Sequence, residues 1–324
     1  MKILITGVAG FIGFNFANFL LSKNKNIKII GIDNLNNYYS VNLKKKRLNK
    51  LKSYNKFKFY KIDISNFKKL NQLFNKEEID VIFNLAAQAG VRYSMLYPKK
   101  YNDYNINGFF NIIELSRIYQ IKKIFYASSS SIYGDTKSFP LKENLELYPK
   151  NIYALSKKIN EEMAELYSDL YKIKMTGLRF FTVYGEWGRP DMFIMKYIIA
   201  SIKNKIFNLN NYGHHFRDFT YIEDVNNILY LLLKKKTKKK HDVFNICSSS
   251  PQKITNIIKT LNKYFKKPRI RKLPLQKADI LKTHGSNKKV KRVLGYSKFT
   301  KINDGLEKIS IWVKKNRSIF LKSV

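Results

Sequence analysis

The 324-residue sequence contains 62 Lys and Arg against 23 Asp and Glu, which gives a formal net charge of +39, and 44% of its residues are hydrophobic. This length and hydrophobic content exclude a small stapled scaffold and disorder over most of the chain. The single cysteine, Cys247, excludes a disulfide framework, and no apolar run approaches the roughly 18–20 residues of a membrane helix. Because the N-terminus also has no signal-peptide pattern, we expect a soluble cytoplasmic protein.

The high positive charge first suggests a nucleic-acid partner. However, only ten of the basic residues are arginines, and the lysines are scattered among abundant Asn, Ile, Tyr and Phe. Phosphate and base recognition favours the arginine fork, so we interpret the charge as mainly compositional and expect no nucleic-acid or membrane partner. A nucleic-acid-binding protein remains an alternative class, which would require sequence-dependent retention on DNA at physiological salt.

Strand-like apolar runs alternate with helical patterns, which is typical of parallel α/β architecture. The predicted strands cover residues 2–6, 27–33, 57–62, 81–85, 123–127, 175–180 and 242–247. The predicted helices include residues 11–21, 101–119 and 153–171, and residues 291–313 supply a terminal helix, with Gly295-Tyr296 as a turn before it. This order predicts a Rossmann-type, doubly wound parallel sheet with a smaller C-terminal substrate-binding domain. We assign residues 1–181 and about 216–248 to the sheet domain, and about 182–215 and 249–324 to the smaller one.

A glycine-rich loop follows the first predicted strand and opens a helix. Its GxxGxxG pattern allows a tight turn and close approach of a pyrophosphate to the positive helix N-terminus. Asp33 ends the second strand, twenty residues after Gly13, where a carboxylate can accept both ribose hydroxyls of an adenosine. The carboxylate would repel a 2′-phosphate and no Arg follows it closely, so we predict NAD rather than NADP. The candidate cofactor contacts are Gly7, Gly10, Phe11, Ile12, Gly13 and Asp33, with Asp63 and Ile64 near the adenine.

Tyr153 and Lys157 form a YxxxK motif at the start of a predicted helix, so both side chains lie on one helical face. An ammonium beside the phenol, with a positively charged nicotinamide nearby, is expected to lower the Tyr153 pKa toward neutrality. A run of four serines at 128–131 follows the fifth strand, at the edge where open α/β sheets bind ligands. Together with the glycine loop, these residues indicate a catalytic site much more strongly than any one of them alone.

Three longer strings add a resemblance to the extended short-chain dehydrogenase/reductase family, in its NAD-dependent epimerase/dehydratase branch. They are residues 84–94 (NLAAQAGVRYS), 177–185 (GLRFFTVYG) followed by 187–192 (WGRPDM), and 217–222 (RDFTYI). Within that branch they are most similar to the UDP-glucuronate 4-epimerases. The resemblance covers nearly the whole chain and implies tightly held NAD and a UDP-sugar substrate.

The resemblance also implies roles for individual residues. Tyr153 would take the proton of the sugar 4-hydroxyl, Ser129 would hydrogen-bond that oxygen, and Lys157 would hold the nicotinamide ribose. Further cofactor contacts would come from Leu85, Ala86 and Ala87. The product, UDP-galacturonate, would serve surface polysaccharide, and helices 101–119 and 153–171 would pair with a second copy in a homodimer.

Substrate choice depends on Arg189, which lies in a Gly-Arg-Pro loop and can grip a carboxylate bidentately. By similarity, the hydroxyl groups of Thr182, Ser130 and Ser131 would help Arg189 to bind the substrate carboxylate. Arg217, and more weakly Arg92, would meet the diphosphate of UDP. Glu186 stands where the family usually has Pro, and it could pair with Arg189, which leaves the substrate open.

Several alternatives therefore remain. UDP-glucose, UDP-N-acetylglucosamine or its uronate could be the epimerised sugar. Sugar 4,6-dehydratases carry an Asp-Glu pair, and UDP-glucuronate decarboxylases a Glu, where this chain has Ser130 and Ser131, so both are disfavoured. A non-catalytic NAD-binding regulator would need no Tyr-Lys-Ser set. No metal site is expected, because metal-ligand spacing is absent around the four histidines, His214, His215, His241 and His284.

Overall fold

A seven-stranded parallel sheet forms the centre of the protein in a computed structural model that describes residues 1–276 and 279–321. The strands of these residues are β1 (Lys2–Thr6), β2 (Lys28–Ile32), β3 (Phe57–Tyr60), β4 (Val81–Asn84), β5 (Lys123–Ser129), β6 (Lys174–Phe180), β7 (Thr182–Tyr184), β8 (Phe207–Asn210), β9 (Phe216–Tyr221), β10 (His241–Ile246), β11 (Pro251–Lys253) and β12 (Ile270–Leu273). The large sheet has the order β10-β6-β5-β4-β1-β2-β3. All seven predicted strands are present, with ends within two residues of the prediction.

The chain order reverses between β1 and β4, which are parallel neighbours in the sheet. Thr6 lies opposite both Ile32 of β2 and Asn84 of β4, so three strands end together at this edge. Such a reversal opens a crevice outside the carboxyl ends of the strands, where doubly wound sheets bind ligands. The predicted fold class is confirmed.

Helices cover both faces of the large sheet. The α-helices of the described residues are α1 (Phe11–Lys23), α2 (Val41–Lys52), α3 (Phe67–Lys76), α4 (Val91–Leu96), α5 (Pro98–Tyr101), α6 (Gly108–Ile118), α7 (Ile152–Tyr171), α8 (Phe193–Ile202), α9 (Ile222–Lys234), α10 (Ile254–Leu261), α11 (Lys288–Leu294), α12 (Ile302–Lys315) and α13 (Arg317–Leu321). A π-helical turn, Asn102–Asn107, joins α5 to α6. Among the described residues, no helix has the length and hydropathy needed to cross a membrane.

The sequence of β1 shows why the central strands are apolar throughout. Ile3 and Ile5 belong to the hydrophobic cluster that includes α1 and α9, whereas Leu4 belongs to the cluster that includes α6. Successive side chains of a strand point to opposite faces, so a strand covered by helices on both sides requires an unbroken apolar run.

Smaller sheets are built from the elements that follow Phe180. One has the order β11-β9-β7, and the other pairs β12 with β8. After β9 the chain returns to the large sheet through β10, which pairs with β6. The division of the chain into two domains stays a prediction.

The terminal helix predicted from residues 291–313 is present, and it is preceded by the predicted turn at Gly295-Tyr296. The chain forms two helices there, α11 and α12, separated by residues 295–301. Gly295 ends α11 with a φ of +68°, a left-handed conformation that stops a helix and that glycine adopts without steric cost.

Candidate active site

The reversal point of the sheet opens onto a cleft of about 450 Å³. The glycine loop and the ends of β4 and β5 line one side of it, and a segment from Phe180 to Met192 contributes to the other. This cleft brings together most of the predicted site residues: Gly7, Gly10, Phe11, Ile12, Gly13, Asp33, Ile64, Leu85, Ala86, Ala87, Ser129, Ser130, Ser131, Tyr153, Lys157, Thr182 and Arg189. The structure therefore brings the residues predicted to bind the cofactor, to act in catalysis and to bind a substrate carboxylate together in one cavity.

The glycine loop is shaped by close backbone contact with the end of β4. Gly7 has a φ of +66°, and a Cβ at this position would lie 2.8 Å from the Cα of Ala86. The N–H of Ala86 in turn donates to the hydroxyl of Thr6 at 2.9 Å. Helix α1 begins after Gly10 without a side-chain cap, so its first N–H groups face a cradle that side chains do not fill. These features fit a dinucleotide pyrophosphate.

Asp33 is 8% exposed and accepts hydrogen bonds from the backbone N–H of Ala9 (3.1 Å) and of Leu35 (2.8 Å). Burial raises the pKa of Asp33, while the positive charges of Lys44 and Arg47 oppose this rise. These two cations were not predicted near Asp33, because they come from α2, beyond the segment that directly follows β2. Both already have partners, since Lys44 donates to Asn36 and Arg47 to the carbonyl oxygen of Ala9.

Asp63 does not line the cleft, although its neighbour Ile64 does. The Asp63 carboxylate accepts from the Asn34 amide at 2.8 Å and from the backbone and hydroxyl of Ser65. It therefore fixes the loop below the cavity in this structure.

Tyr153 lies in the first turn of α7, where the Asn151 side chain caps the helix by accepting from the N–H of Ala154. Lys157 follows one turn later, is 3% exposed, and donates from Nζ to the carbonyl oxygen of Ala127 at 2.8 Å. Ser129 ends β5, and its Oγ accepts from the N–H of Ser131 at 3.2 Å. The geometry thus gathers a phenol, an ammonium and a hydroxyl around one end of the cleft.

The electrostatics of the protein alone differ from the expectation for Tyr153. Burial raises the Tyr153 pKa, while the Ser129 hydroxyl and the positive charge of Arg189 oppose the rise. Burial also lowers the pKa of Lys157 to about 8, with Glu161 acting in the opposite direction. The expected lowering of the Tyr153 pKa therefore requires positive charge beyond that of these protein groups.

Arg189 forms a two-bond ion pair with Asp191, with Nε 3.1 Å from Oδ1 and NH2 2.5 Å from Oδ2. Its guanidinium also lies over the rings of Tyr38 (5.5 Å) and Tyr39 (6.0 Å). Asp191 and the two tyrosines were missed from sequence. Asp191 lies only two residues after Arg189, and this short spacing could have predicted the ion pair. No feature of the nearby sequence indicated that Tyr38 and Tyr39 contact Arg189.

The suggested pairing of Glu186 with Arg189 is wrong. The Glu186 carboxylate accepts instead from the hydroxyl of Tyr221, whose oxygen lies 2.6 Å and 2.8 Å from its two oxygens. Glu186 therefore anchors its loop to the end of β9, and the guanidinium of Arg189 takes Asp191 as its acidic partner.

Arg92 and Arg217 lie outside the cleft lining and form a separate charged cluster. Both the Nε and the NH2 of Arg92 donate to Asp279, with the shortest separation 2.7 Å. Arg217 donates to the carbonyl oxygens of Phe216 and Leu281. Burial lowers the pKa of Arg217 to about 10, with Asp279 opposing and Arg92 reinforcing this change. The structure brings these two arginines together, but not with Tyr153.

The doubly wound sheet, the glycine cradle at its reversal point and the Ser-Tyr-Lys set together define a dinucleotide-dependent enzyme of the short-chain dehydrogenase/reductase type. The comparison with known families is more specific. The model of the NAD dependent epimerase/dehydratase family matches residues 3–247, and the chain belongs to this family.

Individual relatives agree with this assignment. The chain is 39% identical to the UDP-glucuronate 4-epimerase of Thermodesulfobacterium geofontis over 99% of its own length and 98% of that protein. It matches the structure of the Bacillus cereus UDP-glucuronic acid 4-epimerase in complex with UDP-glucuronic acid and NAD, with a TM-score of 0.91 and 31% identity, over 98% of this chain and 100% of that one. For the Thermotoga maritima UDP-glucose 4-epimerase with UDP-glucose, the TM-score is 0.87 and the identity 26%, with coverage of 98% and 100%. The predicted family, NAD cofactor and enzyme class, an NAD-dependent nucleotide-sugar epimerase, are confirmed.

Proposed function

We propose that this chain interconverts UDP-glucuronate and UDP-galacturonate by epimerisation at C4. The observation that carries this proposal is that Arg189 and Tyr153 line one cleft, where the guanidinium charge opposes the rise that burial causes in the Tyr153 pKa. In a hexuronate the carboxylate is attached to C5, next to the reacting C4. A carboxylate grip and a C4 proton acceptor must therefore be neighbours, and relatives named UDP-glucuronate 4-epimerases support this reading.

The side of the cleft that carries the glycine loop and the end of β4 is proposed to hold NAD. Gly7, Gly10, Phe11, Ile12 and Gly13 would meet the pyrophosphate, and Asp33 the adenosine ribose. Ile64 and the Leu85–Ala86–Ala87 segment would form the walls, with Asp63 supporting the loop that carries Ile64. When bound, NAD accepts a hydride from C4 of the sugar and later returns it to the opposite face.

Three side chains of this protein are proposed to control the protonation of O4, the oxygen of the sugar 4-hydroxyl. Tyr153, as the phenolate, takes the proton on its oxygen as the 4-hydroxyl becomes a ketone, and the resulting hydroxyl gives the proton back when the ketone is reduced. The Ser129 hydroxyl donates to the same sugar oxygen and so fixes its distance from Tyr153. Lys157, charged and buried nearby, favours the phenolate and would also bond the nicotinamide ribose.

The remaining groups orient the sugar nucleotide. Asp191 occupies Nε and part of NH2 of Arg189, which leaves the other N–H donors of the fork for a substrate carboxylate. Thr182, Ser130 and Ser131 line the same cavity and are proposed to assist. Hydroxyls at 130 and 131 are poor acids and bases for water loss, which favours epimerisation over dehydration. Arg217 and Arg92 are proposed to meet the diphosphate from their cluster beside the cleft.

The proposal is tested by incubating NAD-loaded protein with UDP-glucuronate and separating the products by chromatography. We expect UDP-galacturonate to accumulate to a fixed ratio with no net NADH formation, because the hydride is returned in every cycle. Accumulation of a UDP-pentose as the main product would instead show a decarboxylase, and recovery of UDP-glucuronate alone would contradict the proposal.

Asp33→Asn is expected to weaken NAD binding about 10-fold, because it exchanges charge-assisted hydrogen bonds to the ribose for neutral ones of similar shape. NADP should lose less than NAD, since the carboxylate that repels a 2′-phosphate is gone. Titration of cofactor into stripped protein measures both affinities. Asp80→Asn, which changes a carboxylate bonded to the backbone of Lys2, is the control. Equal losses for both cofactors would contradict this role of Asp33.

A cytoplasmic homodimer is also proposed. Phe110 on α6 and Leu166 and Leu170 on α7 are each more than 40% exposed, and they lie on the helices that the family resemblance places in a dimer interface. Burial of such a face in a four-helix bundle would remove these side chains from water. Sedimentation at micromolar concentration should give twice the chain mass, and a monomer would contradict this proposal.

A further inference from the structure

Behind the catalytic cleft lies a buried ion pair that the reaction as described does not use. It joins Glu161 of α7 to Arg179 of β6, with Nε 2.9 Å from Oε1 and NH2 2.7 Å from Oε2. The Glu161 carboxylate also accepts from the hydroxyl of Ser128 at 2.6 Å and is 5% exposed. We propose that Glu161 is a positioning residue that keeps Lys157 protonated, and that Arg179 holds Glu161 in place as an anion. The inference rests on the proposed function, because it assigns a task to Lys157.

Lys157 needs such a neighbour because its own contact is uncharged. It is 3% exposed, and its Nζ donates to the Ala127 carbonyl oxygen, whose residue immediately precedes Ser128. A buried ammonium without a nearby anion tends to lose its proton. Glu161 follows Lys157 by four residues on the same helical face, one turn away. Its negative charge raises the pKa of Lys157 and so counteracts the effect of burial.

Arg179 explains why Glu161 can act at a distance and not by direct pairing with Lys157. Its fork occupies both carboxylate oxygens, while its NH1 donates to the Tyr133 hydroxyl and the Glu143 carbonyl oxygen. Glu161 is therefore held as a carboxylate next to strand β6. Lys157 remains free to present its ammonium to the cleft.

Other charged groups near α7 do not supply the same field. The carboxylates on the elements that pack against this helix are Asp103, Glu114 and Asp242, which pair with Lys99, Arg117 and Lys289. None of these three acts on the Lys157 ammonium, whereas Glu161 does, although it is paired with Arg179. Beyond these pairs, the elements that pack against α7 carry Tyr101, Tyr104, Tyr126, Tyr133, Arg179 and His241, and Tyr153 and Arg189 line the cleft beside Lys157. Among the described residues, Glu161 is therefore the buried negative group that acts on Lys157.

The test is the pH profile of kcat for the NAD-loaded enzyme. Because only protonated Lys157 supports the reaction, activity falls as pH rises through the Lys157 pKa. In Glu161→Gln we expect this alkaline fall to move down by about one pH unit, as removal of a unit charge one helical turn away predicts. Activity at pH 6.5 should be retained better than activity at pH 8.5. Glu162→Gln is the matched control, because it removes a charge from the same turn at an exposed position paired with Lys158.

Glu161→Gln leaves Arg179 buried without its anion, so the double variant Glu161→Gln/Arg179→Met is measured beside it. It should fold more readily and shift the profile in the same direction, since Glu161 is the group that acts on Lys157. An unshifted alkaline limb in either active variant, or an equal shift in Glu162→Gln, would overturn the inference and leave the proposed function standing. If wild-type protein epimerises a different UDP-sugar, the same profile measured with that sugar tests the inference while the proposed substrate fails. Absence of turnover with every UDP-sugar would overturn both.

Discussion

Replacing Tyr153 with phenylalanine is expected to lower kcat for epimerisation about 10³-fold, within the usual range for loss of a general acid–base group. The substitution removes one oxygen from the cleft and leaves the ring that lies 6.1 Å from Tyr101. NAD should stay bound, because the groups proposed to hold its pyrophosphate and adenosine are elsewhere. Steady-state turnover and cofactor content of the purified protein measure the two effects separately.

Tyr148→Phe is the matched control for this prediction, since it removes a hydroxyl five residues earlier from a side chain that is 57% exposed. Its turnover should equal that of the wild type. A Tyr153→Phe variant that epimerises at a rate within a few-fold of wild type would exclude Tyr153 as the proton-transferring group. The non-catalytic NAD-binding alternative would gain support if neither protein turned over any nucleotide sugar.

Arg189→Ala is expected to lower kcat/KM for UDP-glucuronate about 10²-fold, as loss of one member of a charge-assisted bidentate pair does. If the wild-type protein also turns over a neutral UDP-sugar, that activity should change far less, because the C6 hydroxymethyl group of the sugar carries no charge. The 4-keto intermediate of a uronate is a β-keto acid, so a loosened carboxylate should also release some UDP-pentose. Mass spectrometry of the nucleotide products detects this side reaction.

Two further variants distinguish loss of carboxylate binding by Arg189 from a general loss of structure in its loop. Arg189→Lys keeps the charge but loses the planar fork, so it should recover only part of the activity. Asp191→Ala removes the partner that orients the guanidinium and should raise KM for UDP-glucuronate more than it lowers kcat. Equal losses of Arg189→Ala for charged and neutral sugars would mean that Arg189 supports the loop and does not grip the substrate.

The sheet could be predicted from sequence because its signals are local. A strand such as β1 is buried on both faces and therefore reads as a short apolar run. Gly7, which follows it, is required by contact with Ala86, and Gly10 and Gly13 by contact with the Gly7 carbonyl oxygen. The turn at Gly295-Tyr296 was also predicted from a local signal, whereas the separate short helix α11 before it was not. A left-handed glycine ends a helix whatever the pattern on either side.

The charged contacts of the site could not be predicted in the same way, because they join distant parts of the chain. Arg189 rests on Tyr38 and Tyr39, which follow β2, and Arg92 pairs with Asp279 across 187 residues. Glu186 was suspected of pairing with Arg189 on sequence distance alone, but the Tyr221 hydroxyl binds it. Short spacing shows which residues can meet, while the folded chain decides which do.

The substrate is the central claim, and NMR of the anomeric region tests it most directly. NAD-loaded protein is incubated in parallel with UDP-glucuronate, UDP-glucose, UDP-N-acetylglucosamine and the uronate of the last. We predict that a new anomeric signal, that of UDP-galacturonate, appears with UDP-glucuronate and that the neutral sugars convert far more slowly or not at all. Conversion of UDP-glucose without conversion of UDP-glucuronate would contradict the account.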